Sequence, residues 1–181
     1  MTRVAVRIGF LRAINLGAKR KFPKDAVARS TEAAGFTGVA THLNTGNVRF
    51  ETSMRSRTRI EAALEAAYEA EAGFEVPTVV FTPDELRAVA EEAGRLGREL
   101  GGEGRHYVSL LKDEPSAEAV RAVEARSSAG EVARVGGRAV HLLLGENYHE
   151  ARLTNAVVER HLGVATNRNL TVICALVDKW C

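Results

Sequence analysis

Cysteine is nearly absent from this sequence: Cys174 and Cys181 are the only two among 181 residues. So few thiols exclude a disulfide-stapled scaffold and suit a reducing compartment. Aromatic residues are scarce as well, at 6% with Trp180 the single tryptophan, so the core must be built mostly from Ala, Val, Leu and Ile. No apolar run approaches the roughly 20 residues a membrane-spanning helix needs. Arg3, Arg7 and Arg12 interrupt the apolar start of the chain, which leaves no uninterrupted segment for a secretory signal. A cytoplasmic location without membrane contact is therefore the expectation. The 45% hydrophobic and 27% charged residues exclude disorder, and a chain of this length buries roughly 70% of its unfolded surface, as one large domain or two small ones.

Acidic residues are missing from one end. Residues 1–24 contain Arg3, Arg7, Arg12, Lys19, Arg20, Lys21 and Lys24 without one Asp or Glu, so the net charge of +2 is a +7 segment set against a remainder of −5. A local positive field of this kind attracts phosphates and carboxylates. The near-neutral whole argues against a surface built throughout for nucleic acid.

The pattern of apolar residues gives an order of elements. Residues 4–11 read as a strand, a loop leads to Pro23, and a helix follows to about Gly35, with Val27, Ala34 and Phe36 inward. Residues 39–43 and 48–51 read as a hairpin around Asn44-Thr45-Gly46-Asn47. Thr58-Arg59-Ile60-Glu61 has the form of a capping box opening an Ala-rich helix, and residues 76–81 read as a further strand. This βαββαβ order is the ferredoxin-like arrangement. Thr82-Pro83-Asp84-Glu85 starts a helix that is expected to dissolve into a glycine-rich linker over residues 94–104. The pattern then restarts with a strand at 106–111, a helix at 116–126, a hairpin around Gly136-Gly137 and a helix at about 150–162. Where a fourth strand is due, residues 165–169 lead into a final helix carrying Leu170, Ile173, Val177 and Trp180. The expected fold class is α+β, two tandem ferredoxin-like α/β plaits, βαββαβ and then a βαββα variant with an extra C-terminal helix. The expected domains are 1–82 and 105–181, joined by a helix and linker over 83–104.

Three polar segments are candidates for chemistry. In the first loop, Arg12, Asn15 and Gly17 precede Lys19, Arg20 and Lys21; arginine grips carboxylate or phosphate with paired N–H donors, and a strand-to-helix loop presents amide groups to an anion. The spacing matches neither a phosphate-binding P-loop nor the dinucleotide fingerprint, and a solvated basic loop explains it equally well. Asn44 and Asn47 fit a ligand rim or a self-bonded turn, and turn chemistry alone accounts for them. Thr166, Asn167 or Asn169 fits the cap of the last helix, whereas Arg168 is not explained by capping. His42, His106, His141, His149 and His161 show no metal-ligand spacing, so neither metal nor cofactor is expected. Cys174 on an apolar helix reads as a small hydrophobe. Phe10 and Phe50 on the strands do not form the aromatic patterns of RNA-recognition modules.

Read together, Phe10-Leu11-Arg12-Ala13-Ile14-Asn15-Leu16-Gly17, Asn44-Thr45-Gly46-Asn47-Val48, Arg152-Leu153-Thr154-Asn155 and Thr166-Asn167-Arg168-Asn169-Leu170-Thr171-Val172 resemble the bacterial family catalogued as domain of unknown function 1697. The resemblance spans nearly the whole chain and rests on Arg12, Asn15, Gly17, Asn44, Gly46, Asn47, Asn155, Arg168, Asn169 and Thr171. Ala13 and Ala18 stand where the family has glycine, and Leu170 where it has tryptophan. It implies two ferredoxin-like plaits in tandem and no established activity.

The resulting expectation is a protein that binds a small phosphate- or carboxylate-bearing ligand through Arg12, Asn15, Gly17, Lys19, Asn44, Asn47, Arg168, Asn169 and Thr171. Catalysis and oligomeric state are left open. The alternative is a non-catalytic scaffold that binds nucleic acid or self-associates.

Overall fold

The first apolar run forms strand β1 (Ala5–Leu11) in a computed structural model that describes residues 3–100 and 105–181. The chain divides into two units, the residues up to Pro83 with Trp180, and residues 84–179 with Cys181. In the first unit β1 is followed by α1 (Lys24–Ala33), β2 (Thr37–Thr41), β3 (Asn47–Thr52), α2 (Arg57–Ala72) and β4 (Thr78–Phe81). The antiparallel sheet runs β2-β3-β1-β4, with Arg7 opposite Phe50 and Gly9 opposite Val80. Phe22 and Val27 join Phe36, Phe50, Ile60, Leu64 and Tyr68 in one buried cluster. Each such side chain taken from water contributes about 1.5–3 kcal/mol. The Tyr68 hydroxyl meets Thr31 Oγ1 at 2.8 Å, so the polar tip of the largest buried ring is satisfied.

Helix α2 is capped differently from the expectation. Ser56, not Thr58, accepts the bond from the Arg59 N–H. Glu61 is buried, lies 4.0 Å from the guanidinium of Arg57 at the helix start and accepts from the Val80 N–H at 3.0 Å, while Glu65, one turn on, accepts from the Thr78 N–H at 2.9 Å. Because β4 is an edge strand, two carboxylates at i and i+4 cover N–H groups that an uncovered edge would leave open to pairing.

The second unit opens with α3 (Pro83–Leu100), which continues through Gly94 and Gly97 where the sequence suggested a linker. Leu86, Val89, Ala93 and Leu96 bury one helical stripe, and this burial outweighs the roughly 1 kcal/mol that each glycine costs. The remainder of the expected linker, residues 101–104, lies outside the described residues. There follow β5 (Arg105–Leu111), α4 (Ala117–Glu124), β6 (Glu131–Gly136), β7 (Ala139–Leu144), a single 3-10 turn at Tyr148–Glu150, α5 (Asn155–Leu162), β8 (Ala165–Asn169) and α6 (Leu170–Trp180). The sheet runs β6-β7-β5-β8.

Strand β8 corrects the sequence reading. Residues 165–169 are not merely a lead-in to the last helix; they pair antiparallel with β5, Ser109 opposite Asn167, so the second unit also has the βαββαβ order. The composition Ala-Thr-Asn-Arg-Asn has little strand preference, and pairing comes from tertiary contacts. Asn155 accepts from the Ser109 hydroxyl at 2.8 Å, Asn167 donates to the same oxygen at 3.2 Å, and Glu159 accepts the Ala165 N–H at 3.1 Å. The preceding helix is also shorter than expected, since Thr154 caps α5 through the Val157 N–H and residues 148–150 form a separate turn. Among the described residues no helix is long and apolar enough to cross a membrane.

Candidate functional site

In the first unit the basic loop between β1 and α1 has an unusual backbone. Ala13, Asn15 and Arg20 all have φ between 54° and 57°, beside Gly17 at 62°. For residues other than glycine this left-handed region is strained and persists only where surroundings impose it. Asn15 supplies much of the constraint: its side chain accepts from the Phe22 N–H at 2.8 Å and donates to the carbonyls of Phe22 at 2.9 Å and Asn44 at 2.6 Å. The Arg20 guanidinium donates to the carbonyls of Ala13 and Glu75 at 2.6 and 2.7 Å and lies 4.4 Å from the Phe74 ring centre. Asn44 Oδ1 accepts from the Lys24 N–H at 3.2 Å, and buried Asn47 donates to the His42 carbonyl and the Thr45 hydroxyl.

The turn at 44–47 is therefore a structural partner of the loop, and Asn15, Asn44 and Asn47 act on the backbone around them. Arg12 is half-buried, while Gly17, Lys19, Lys21 and Lys24 are exposed. The shallow depression among Ile14, Phe22, Lys24, Val27, Leu43, Asn44 and Asn47 has no room for a water-sized molecule. This region offers charge without a cavity.

The second unit has a cavity. A groove of about 940 Å³ is lined by Gly97 and Leu100 of α3, Arg105 and His106 of β5, Leu143 of β7, and the start of α6 at Asn169, Leu170, Thr171 and Cys174. Two of the expected residues, Asn169 and Thr171, are on its wall. Asn169 caps α6 by accepting the Val172 N–H at 2.9 Å, so the positive end of that helix opens onto the groove. Arg168, the third expected residue of this unit, is buried and donates to the Thr166 hydroxyl and the Asn167 carbonyl, each at 2.8 Å. Burial lowers its pKa to about 10.

The histidines, unremarkable in the sequence, include a pair. His106 on the groove wall meets buried His141, Nε2 to Nδ1, at 3.1 Å. Burial depresses both, and His141 falls to about 4, pushed further by His106 and Arg95 against the pull of Glu92. Both rings are accordingly neutral at pH 7, one donating and the other accepting. Sequence spacing could not show this, because 35 residues separate them and only the β5–β7 register, Val108 opposite His141, brings them together. Arg105, also missed, has its guanidinium 4.7 Å from the Tyr148 ring centre. The Cys174 thiol is pushed up by burial and by Asp178, the reverse of what a thiolate nucleophile needs. Among the described residues no three His, Cys, Asp or Glu side chains are grouped to hold a metal ion.

The comparisons with known proteins fit this architecture. The family described as protein of unknown function (DUF1697) matches residues 4–141. Among solved structures, the conserved bacterial protein SP0830 from Streptococcus pneumoniae is similar in fold, with 19% identity, 97% of this chain and 98% of that chain covered, and a TM-score of 0.75. No curated protein matches the chain significantly.

Proposed function

The chain belongs to the DUF1697 family of proteins of unknown function, and from the groove of its second unit we propose that it is a cytosolic protein binding a small phosphate- or carboxylate-bearing ligand. The observation that carries this reading is the 940 Å³ groove with the first turn of α6 and Arg105 on its wall. A helix start offers N–H groups that lack partners inside the helix, and Asn169 engages that of Val172. The Thr171 hydroxyl, exposed beside them, adds a donor, and Arg105 adds a full positive charge. Apolar Leu100, Leu143 and Leu170 supply the surface for the uncharged part of a ligand. In the first unit, Arg12 and Lys19 belong to a separate basic loop, shaped by Asn15, Gly17, Asn44 and Asn47, that attracts anions on its own account. Arg168 contributes by fixing β8, and through it the start of α6.

Thermal-shift titrations with inorganic phosphate, nucleoside monophosphates, sugar phosphates and dicarboxylates test the reading. A true ligand stabilises by about 2.7 kcal/mol at a hundredfold excess over its Kd. Thr171→Val and Arg105→Gln, both at exposed positions, are expected to remove that shift and leave the unliganded midpoint unchanged. No stabilisation by any compound, or stabilisation unaltered in both variants, counts against it.

A further inference from the structure

Two leucines in the first unit are presented to water by a backbone that is held in place. Leu16 is 62% exposed and Leu43 48% exposed, and each adjoins one partner of the Asn15–Asn44 hydrogen bond. Leu43 also has φ of 61°, a conformation that glycine or asparagine adopts far more readily than a branched apolar residue. Leu43 and Lys24 border the same shallow depression, with Ile14 and Val27 among its lining residues. Lys19 and Lys21 are exposed on the loop that leads to Lys24, and Asp25 is the first acidic residue of the chain. The loop and turn thus present two apolar side chains and three lysines to solvent, beside a depression with no room for a water-sized molecule.

We propose that Leu16, Leu43 and the lysines 19, 21 and 24 form a docking surface for an acidic segment of another protein that carries apolar side chains. Charge complementarity selects the acid, and the leucines select the apolar residues between the acids. A nucleic acid fits less well: the loop's aromatic residue, Phe22, is buried at 1% exposure, and Arg20 is committed to two carbonyls and the Phe74 ring, so neither gives bases a plane to stack on. The positive φ at Leu43 makes the surface testable, because glycine accepts that backbone while removing the apolar side chain.

The experiment uses the full chain and a fluorescein-labelled synthetic peptide alternating Glu or Asp with Leu or Phe, read by anisotropy. A control peptide has serine at every apolar position. The expected result is saturable binding of the first peptide, weakened by salt, and at least about tenfold weaker binding of the control. Leu43→Gly is expected to keep or raise the thermal midpoint while weakening peptide binding about tenfold, with Leu16→Ser and Lys19→Glu/Lys21→Glu acting in the same direction. The proposal is overturned by absence of binding or by equal binding of both peptides. Binding unchanged in all three variants overturns it too. So does tighter, variant-sensitive binding of a single-stranded oligonucleotide, of phosphatidylserine vesicles, or of a second copy of the chain by sedimentation. The anion groove is tested separately by Thr171→Val and Arg105→Gln, which lie in the second unit and leave Leu16, Leu43 and the loop lysines intact.

Discussion

The side-chain amide of Asn15 donates to the main-chain carbonyl of Asn44 at 2.6 Å, tying the basic loop to a hairpin turn 29 residues further along the chain. The same amide group also closes the loop on Phe22. Asn15→Ala removes all three bonds and puts alanine at a positive φ. A loss of about 3–4 kcal/mol is expected, at roughly 1 kcal/mol per bond and a further 1 for the backbone. Asn15→Gly removes the bonds but accepts the φ, so it should be about 1 kcal/mol less damaging. Urea unfolding of the two variants measures the difference, and equal losses would show that backbone strain is not part of the balance.

Gly46 and Gly17 both have positive φ, yet their surroundings differ. A Cβ on Gly46 falls 2.7 Å from Leu11 Cβ and 3.3 Å from the Leu11 carbonyl, whereas one on Gly17 meets nothing within 4 Å. Gly46→Ala is therefore expected to cost about 3 kcal/mol or more, combining overpacking with strain. Gly17→Ala should cost only the strain, about 1–2 kcal/mol. Thermal midpoints of the two variants rank them directly.

Glu61 is buried beneath the edge of the first sheet and accepts from the Val80 N–H. Glu61→Ala leaves that donor without its acceptor, with an expected loss of about 1–3 kcal/mol. Glu61→Gln retains an acceptor oxygen and should lose less. Amide exchange at Val80 is the specific readout: it accelerates in the alanine variant and stays protected in the glutamine one.

His141 carries a pH dependence. Above about pH 6.5 both the folded and the unfolded chain hold a neutral imidazole, and no penalty arises. As the pH falls from there toward 4, the unfolded chain takes up a proton that folded His141, with its pKa near 4, does not. Folding stability drops over this window by about 2–3 kcal/mol. The groups facing His141 are His106 on β5, Glu92 and Arg95 on α3, and Arg134 opposite it on β6. His141→Gln should flatten the stability profile between pH 6.5 and 4, checked by urea midpoints across that range. A slope identical to that of the parent chain would remove His141 from the account.

Much of the architecture was legible in the chain. Short apolar runs marked β1, β3, β5 and β7, the Gly136-Gly137 pair marked a hairpin, and Ser116 and Asn169 stood at helix starts. What misled was locally ambiguous. Gly94 and Gly97 look like linker residues until the buried stripe of α3 is weighed against them. Residues 165–169 look like loop because their strand character lies in their partners, Ser109, Asn155 and Glu159, and not in themselves. Glu61 sits where a capping residue belongs and is used instead by a strand in the same sheet as β1.

The candidate sites divide in the same way. Sequence alone determined the excess of positive charge in residues 1–24, the polar segments around Asn15, Asn44 and Asn169, and the family to which they belong, because these are properties of residue type and short spacing. Tertiary structure decided what those residues do. It put the amides of Asn15, Asn44 and Asn47 on the backbone, buried Arg168, left Leu16 and Leu43 in water, and joined His106 to His141 beside a groove. Those outcomes depend on strand register and on distances across 29 or 35 residues, which no local pattern encodes.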